Sequence, residues 1–142
     1  MTTILYHHES RQIFYDSRET DGNRITTDKI VKKIENKHGI WFCCGDSSDI
    51  DFVINDFRER QQPNAGNLNF RAFLVRDNKV FDTCINNGVY KTYLLGYSET
   101  MGSGGEYALG ALEAGASAMQ SMKIAAKRDI RTGGKIHKYK LD

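Results

Sequence analysis

The sequence has little of what marks secreted, membrane-embedded or nucleic-acid-binding proteins. In 142 residues it contains one proline and three cysteines. It has no apolar run near the roughly 20 residues that a membrane-spanning helix needs. Twenty basic and 18 acidic residues leave a net charge of +2, too balanced to indicate a nucleic-acid or anionic-membrane surface. Polar side chains interrupt the N-terminal region where a signal peptide would be apolar, so we expect a cytoplasmic protein.

The cysteines and histidines form no recognisable metal or disulfide pattern. Cys43 and Cys44 are adjacent and Cys84 is distant, so the count is odd and the spacing fits no metal site. We interpret them as reduced, small apolar residues and expect neither a metal nor a cofactor. A cysteine nucleophile at Cys44-Gly45 is disfavoured because no local signature surrounds it.

The composition is typical of a globular chain. With 39% hydrophobic and 27% charged residues, a chain of this length can bury a hydrophobic core without disulfide bonds or a structural metal. We expect one domain over residues 1–142. There is no internal repeat, linker or low-complexity segment.

Short β-prone runs separated by turns predict that sheet dominates. The predicted strands cover residues 2–6, 12–16, 29–34, 40–44, 69–75, 79–82 and 135–141, with one or two more in 89–97. Ser47 or Ser48 is expected to cap a helix that continues to Glu59, and two further helices are predicted over about 106–114 and, after Ser117, to about 128. Because strands and helices occur in blocks, we predict an α+β fold with mostly antiparallel sheet and helices outside.

The first residues, Met1-Thr2-Thr3-Ile4, carry a weak chemical signal. Removal of Met1 would leave Thr2 with a free α-amine beside its own hydroxyl, and the amine can take the hydroxyl proton. Very many proteins begin with Met-Thr, so the dipeptide alone predicts little.

Three other motifs have a plain structural interpretation beside a functional one. The loop Gly102-Ser103-Gly104-Gly105 precedes a helix and resembles a phosphate cradle, but it lacks the lysine of a P-loop, so a tight loop is favoured. Asp16-Ser17-Arg18 reads as a charged turn. Lys33 lies in an apolar run; facing inwards it would need a carboxylate, and the residues alone favour a lysine that faces water.

Several of these motifs occur together in one order. The pieces are Met1-Thr2-Thr3-Ile4, Asp16-Ser17-Arg18 with Thr20 and Gly22, Val31-Lys32-Lys33-Ile34, Cys44-Gly45, Gly102-Ser103-Gly104, and Asp129 with Thr132-Gly133-Gly134. Together they resemble the proteasome β-subunit family of N-terminal nucleophile hydrolases, which includes the HslV-type peptidase. The resemblance spans nearly the whole chain and is strongest over residues 101–134.

The resemblance implies a four-layer αββα sandwich that hydrolyses peptide bonds through an acyl-enzyme on Thr2. Lys33 would stand by the Thr2 hydroxyl, and Asp16 would keep that lysine charged. The backbone N–H of Gly45 would form the oxyanion hole. The residues around the α-amine would be Ser103, Asp129 and Thr132, and those bordering the substrate pocket would be Thr20 and Cys44.

The resemblance also implies partners and an alternative. We expect protein or peptide substrates, a homo-oligomeric ring that forms a proteolytic chamber, and an ATP-dependent unfoldase as partner, since the chain itself has no ATPase motif.

Family members are usually longer, and the loop-like residues 61–68 stand where they have a second helix, which leaves the stacking of two rings open. Asp46 replaces a small residue, so a more acidic pocket is expected. The alternative is a catalytically inactive structural or assembly subunit of the same fold.

Overall fold

The computed structural model describes residues 2–142, so the predicted removal of Met1 lies outside the described residues. In chain order the elements are β1 (Ile4–His7), β2 (Gln12–Tyr15), β3 (Glu19–Asp21), β4 (Arg24–Thr27), β5 (Lys33–Asn36), β6 (Gly39–Gly45), α1 (Ser47–Asp56), β7 (Phe70–Arg76), β8 (Lys79–Asn86), β9 (Val89–Leu94), β10 (Glu99–Met101), α2 (Gly105–Glu113), α3 (Ala118–Arg128) and β11 (His137–Lys140). They fall into two compact units, one containing the chain up to Lys32 with Gly96–Asp142, the other Lys33–Leu95.

The first unit packs two helices on an antiparallel sheet of order β10-β1-β2-β11. Leu5 and Phe14 from neighbouring strands meet Ala108 of α2 and Met122 and Ala125 of α3 in its core. A capping box starts α3, because the Ser117 side chain accepts from the Gln120 N–H while the Gln120 side chain accepts from the Ser117 N–H. The predicted Ser117 cap is therefore confirmed.

The second unit is an antiparallel sheet of order β5-β6-β7-β8-β9 with α1 packed on it. Trp41 is fully buried against Val53, Phe57 and Tyr90, and its indole N–H donates to Asn36 Oδ1 at 2.8 Å. The prediction of mostly antiparallel sheet is confirmed in both units.

The cap of α1 differs from the prediction. Asp46, rather than Ser47 or Ser48, is the N-cap, and its Oδ1 accepts from the Ser48 N–H at 3.0 Å and the Ser48 hydroxyl at 2.7 Å. The carboxylate that we expected to make the substrate pocket more acidic is thus engaged by the helix. The helix ends at Asp56, earlier than the predicted Glu59, and residues 61–68 form a loop as expected.

The strand predicted over 29–34 is wrong in position. The strand starts only at Lys33, and the preceding residues reverse the usual burial pattern: Val31 is 73% exposed while Lys32 is 9% exposed. Apolar spacing therefore misled the prediction here. The short, polar hairpin of β3 and β4 and the three-residue β10 were not predicted as strands, because neither has an apolar alternation to detect.

Within residues 2–142, the helices fall short of the length and apolar character that crossing a membrane requires.

Replacing Trp41 with alanine should lower the free energy of unfolding by about 3 to 5 kcal/mol, because the change opens a cavity in the core of the second unit. The matched control is Leu94→Ala in the same sheet, since the Leu94 side chain is 59% exposed. Urea denaturation followed by circular dichroism measures both. Equal losses for the two variants would contradict the assigned core.

Candidate active site

Thr2 is held beneath the predicted glycine loop. Thr2 is 2% exposed. The strand that follows it, β1, pairs with β10, and β10 ends directly before the glycine loop. Gly102 has a φ of +92°, and a Cβ there would lie 1.9 Å from the Thr2 carbonyl oxygen, while Gly104 donates its N–H to that oxygen at 3.4 Å. The glycines therefore allow the loop backbone to pack directly on the N-terminal segment, as the tight-loop interpretation requires.

The buried carboxylate of Asp16 joins Thr2 to a lysine. Asp16 is fully buried at the end of β2, and its Oδ1 accepts hydrogen bonds from the Thr2 hydroxyl, from the Thr3 N–H at 3.2 Å and from Lys32 Nζ at 2.6 Å. Lys32 Nζ also donates to Thr2 Oγ1. Hydroxyl, ammonium and carboxylate thus form one compact cluster away from water.

The lysine in this cluster is Lys32, so the placement predicted for Lys33 is wrong. Lys33 is the first residue of β5, half-buried, with its Cα paired to that of Phe42. The sequence offers two adjacent lysines, and the choice between them depends on where the strand begins. The resemblance alone indicated Lys33, and it could not decide between the two because both lysines lie in the same motif, Val31-Lys32-Lys33-Ile34.

The other oxygen of Asp16 binds backbone. Its Oδ2 accepts from the Gly133 N–H at 2.9 Å and the Arg18 N–H at 3.3 Å. Each oxygen of this buried carboxylate therefore has donors, which is what a charged group removed from water requires.

A second carboxylate, that of Asp129, accepts hydrogen bonds from the two predicted hydroxyl residues, Ser103 and Thr132. Asp129 is the C-cap of α3, and its Oδ2 accepts from the Ser103 hydroxyl at 2.6 Å and the Thr132 hydroxyl at 2.7 Å, while its Oδ1 accepts from the Arg131 N–H at 3.1 Å. Burial alone would raise the pKa of Asp129, but these hydrogen bonds and the Arg131 charge outweigh it and hold the pKa below its usual value.

Thr3 connects the two carboxylates and was not predicted from the sequence. Its hydroxyl oxygen lies 2.6 Å from Thr132 Oγ1. Because the single Thr132 hydroxyl proton is donated to Asp129, the Thr3 hydroxyl must be the donor in this pair. Thr3 is fully buried directly before β1, and its partner Thr132 lies so far along the chain that no local sequence signal could have identified the pair.

The remaining predicted residues have local structural roles. Thr20 is half-buried on β3 opposite Ile25, and Cys44 is buried on β6 opposite Arg71. Gly45 has a φ of +132°, and a Cβ there would lie 2.1 Å from the Asn69 carbonyl oxygen, so close backbone approach alone accounts for a glycine. Their roles toward a substrate stay predictions.

Two further features of the described residues concern possible metal ligands and the cysteines. In the part of the chain that the structure describes, no group of three or more His, Cys, Asp or Glu side chains is arranged to hold a metal ion. Burial raises the pKa of the Cys43 thiol, which suits a structural cysteine better than a nucleophile.

Comparison with solved structures shows the fold. The BPH protein of Thiobacillus denitrificans in complex with epoxomicin is similar with a TM-score of 0.73 and 14% identity, over 99% of this chain and 100% of that one. A second structure of Thiobacillus denitrificans BPH is similar with a TM-score of 0.71 and 14% identity, over 100% of this chain and 99% of that one. Eukaryotic HslV from Trypanosoma brucei is similar with a TM-score of 0.67 and 19% identity, over 97% of this chain and 98% of that one. No protein-family model and no curated protein matches the sequence. The chain has the proteasome-type, HslV-like N-terminal nucleophile hydrolase fold, as the resemblance predicted.

The pKa of Asp129 predicts a pH-dependent contribution to stability. A carboxyl whose folded pKa is lowered stabilises the protein above its unfolded pKa of about 3.9 and stops doing so as the pH falls through the folded value. The gap in free energy of unfolding between wild type and Asp129→Asn should therefore be widest at neutral pH and shrink below about pH 5. Urea denaturation across this range measures the gap, and a gap that widens on acidification would contradict the assignment.

Proposed function

We propose that this chain is a threonine-type peptidase whose nucleophile is the hydroxyl of Thr2 after removal of Met1. The observation that carries the proposal is the buried Lys32–Asp16 ion pair at that hydroxyl, with Lys32 Nζ 2.6 Å from Asp16 Oδ1. Burying a lysine and an aspartate is costly unless they are paired. An ammonium placed against a threonine hydroxyl stabilises the alkoxide that must form during nucleophilic attack.

The reaction proposed is amide hydrolysis in two steps. The free α-amine of Thr2 takes the proton of the hydroxyl, and Oγ1 attacks the carbonyl carbon of the peptide bond. The carbon–nitrogen bond breaks, the leaving amine receives the proton, and an ester remains on Thr2. The α-amine then takes a proton from a water molecule, whose oxygen attacks the ester carbon. The bond between that carbon and Oγ1 breaks, the carboxylic acid leaves, and the amine returns the proton to Oγ1. The α-amine is the group that carries the proton in both steps.

The other predicted residues take supporting roles in this proposal. Lys32 replaces Lys33 as the residue that stabilises charge on Oγ1, and Asp16 keeps it charged. The Ser103, Asp129 and Thr132 cluster orients the α-amine. From the resemblance, the Gly45 N–H serves as the oxyanion donor, and Thr20 and Cys44 border the substrate pocket.

The proposed context is a cytoplasmic, homo-oligomeric chamber that receives protein or peptide substrates from an ATP-dependent unfoldase. The support is the shared fold with HslV from Trypanosoma brucei over 97% of the chain.

The alternative, an inactive structural subunit of the same fold, is disfavoured by the site itself. An inactive subunit has no need of a buried ammonium and carboxylate at the Thr2 hydroxyl, and apolar side chains of similar volume would often be as stable or more stable.

Thr2→Ala should abolish hydrolysis of a fluorogenic peptide while leaving the fold intact, because the change removes the nucleophilic oxygen together with only one methyl group. Thr2→Ser is the matched control, since it keeps a hydroxyl and an α-amine and should retain activity. Initial rates, with circular dichroism as the check on folding, measure both. Hydrolysis by the alanine variant at the wild-type rate would refute the assignment.

Lys32→Met should lower kcat by about 100-fold or more, because the charge that stabilises Oγ1 is lost. Lys33→Met is the matched control one residue away and should stay close to wild type. Since Lys32→Met leaves Asp16 buried without the ammonium, the double variant Asp16→Asn, Lys32→Met checks that lost activity does not reflect unfolding. A larger loss for Lys33→Met than for Lys32→Met would contradict the corrected placement.

A further inference from the structure

The guanidinium of Arg18 makes an unusual set of contacts next to the cluster. Its Nε and Nη2 donate to the two carboxylate oxygens of Asp28 at 2.8 and 3.2 Å. Its Nη1 donates to the Ile130 carbonyl at 3.0 Å and the Thr132 carbonyl at 3.4 Å. A planar fork with several fixed donors can make these bonds together, whereas the single ammonium of lysine cannot.

The flat face of Arg18 also rests on Gly133. A Cβ built on Gly133 would lie 2.4 Å from Arg18 Cζ and 2.6 and 2.7 Å from Nη2 and Nε. Gly133 is not among the glycines with positive φ, so its backbone would accept alanine. A side chain at position 133 would therefore displace the Arg18 guanidinium from its contacts, whereas the backbone conformation there does not call for glycine.

Residues 130–133, whose carbonyl groups bind Arg18, form a turn that supplies hydrogen-bond donors to both Asp16 and Asp129. The Gly133 N–H donates to Asp16 Oδ2 at 2.9 Å, and the Thr132 hydroxyl donates to Asp129 Oδ2 at 2.7 Å. Arg18 itself binds neither carboxylate through its guanidinium in any hydrogen bond found among residues 2–142. The Arg18 side chain therefore acts on the carboxylates through the backbone of residues 130–133 and through its charge, while its own backbone N–H donates to Asp16 Oδ2.

We propose that Arg18, neutralised by Asp28 and stacked on Gly133, is a positioning residue that fixes the 130–133 turn and so sets the orientation of Asp16 and of the Thr132–Asp129 pair. The proposal rests on the peptidase function proposed above. It predicts a loss in the chemical step rather than in substrate binding, because no substrate-contacting role is assigned to Arg18.

The test measures kcat and KM for Arg18→Lys, Arg18→Ala, Gly133→Ala and the double variant Arg18→Ala, Gly133→Ala. Arg18→Lys and Gly133→Ala should each lower kcat about 10- to 100-fold with KM unchanged, since small misplacements of reacting groups have effects of this size. Arg24→Ala is the matched control, because it removes an exposed ion pair with Asp21 (3.3 Å, side chains 75% and 79% exposed) and should leave kcat unchanged.

The double variant isolates the contact. If Gly133 must be glycine because of Arg18, adding Gly133→Ala to Arg18→Ala should cost nothing further, and the two effects are strongly non-additive. Additive losses, or a wild-type kcat in Arg18→Lys, would overturn the proposal.

A readout without catalysis separates this proposal from the peptidase function. Hydrogen exchange in a peptide covering residues 129–134 should be faster in Arg18→Lys than in wild type, while exchange in α3 stays the same. If wild type hydrolyses no peptide but this change is seen, the peptidase proposal fails and the positioning role stands. Unchanged exchange in the turn would overturn the positioning role whatever the activity.

Discussion

The buried carboxylate of Asp16 is the group on which the first unit's arrangement depends. One oxygen receives the Thr2 hydroxyl, the Thr3 N–H and the Lys32 ammonium, and the other receives the Gly133 and Arg18 N–H groups. Four separate stretches of chain therefore meet at one side chain that is 0% exposed. Breaking such a buried pair typically costs about 3 to 5 kcal/mol, so the carboxylate holds these stretches together.

The same turn serves both carboxylates, which makes the site one connected network. Asp129 begins the turn and Gly133 ends it, and the Thr3–Thr132 hydroxyl pair links the N-terminal strand to its middle. Thr132, whose hydroxyl helps to lower the pKa of Asp129, directly precedes Gly133, whose N–H donates to Asp16. A rigid, mutually dependent set of this kind suits a reaction in which an amine, a hydroxyl and a carbonyl must be aligned.

Much of this arrangement could be predicted from the sequence, and the misses have definite physical causes. Alternating or apolar runs identified the long strands, and Ser117 identified the start of α3. Lys32 was missed because Val31 faces water and the lysine is buried, the reverse of what hydrophobic spacing assumes. The roles of Thr3 and Arg18 were missed because both depend on contacts with residues more than 100 positions away along the chain. A local sequence pattern cannot report such contacts.

The central claim is that the Thr2 hydroxyl and α-amine act together beside Lys32. The most direct measurement is the intact mass of the purified protein before and after treatment with an epoxyketone, whose ketone accepts a hydroxyl and whose epoxide accepts an amine. The account predicts a chain that has lost one methionine and gains one inhibitor, attached at Thr2, with Lys32→Met labelled far more slowly than Lys33→Met. A methionine-free chain that gains no inhibitor, or gains it at another residue, would contradict it.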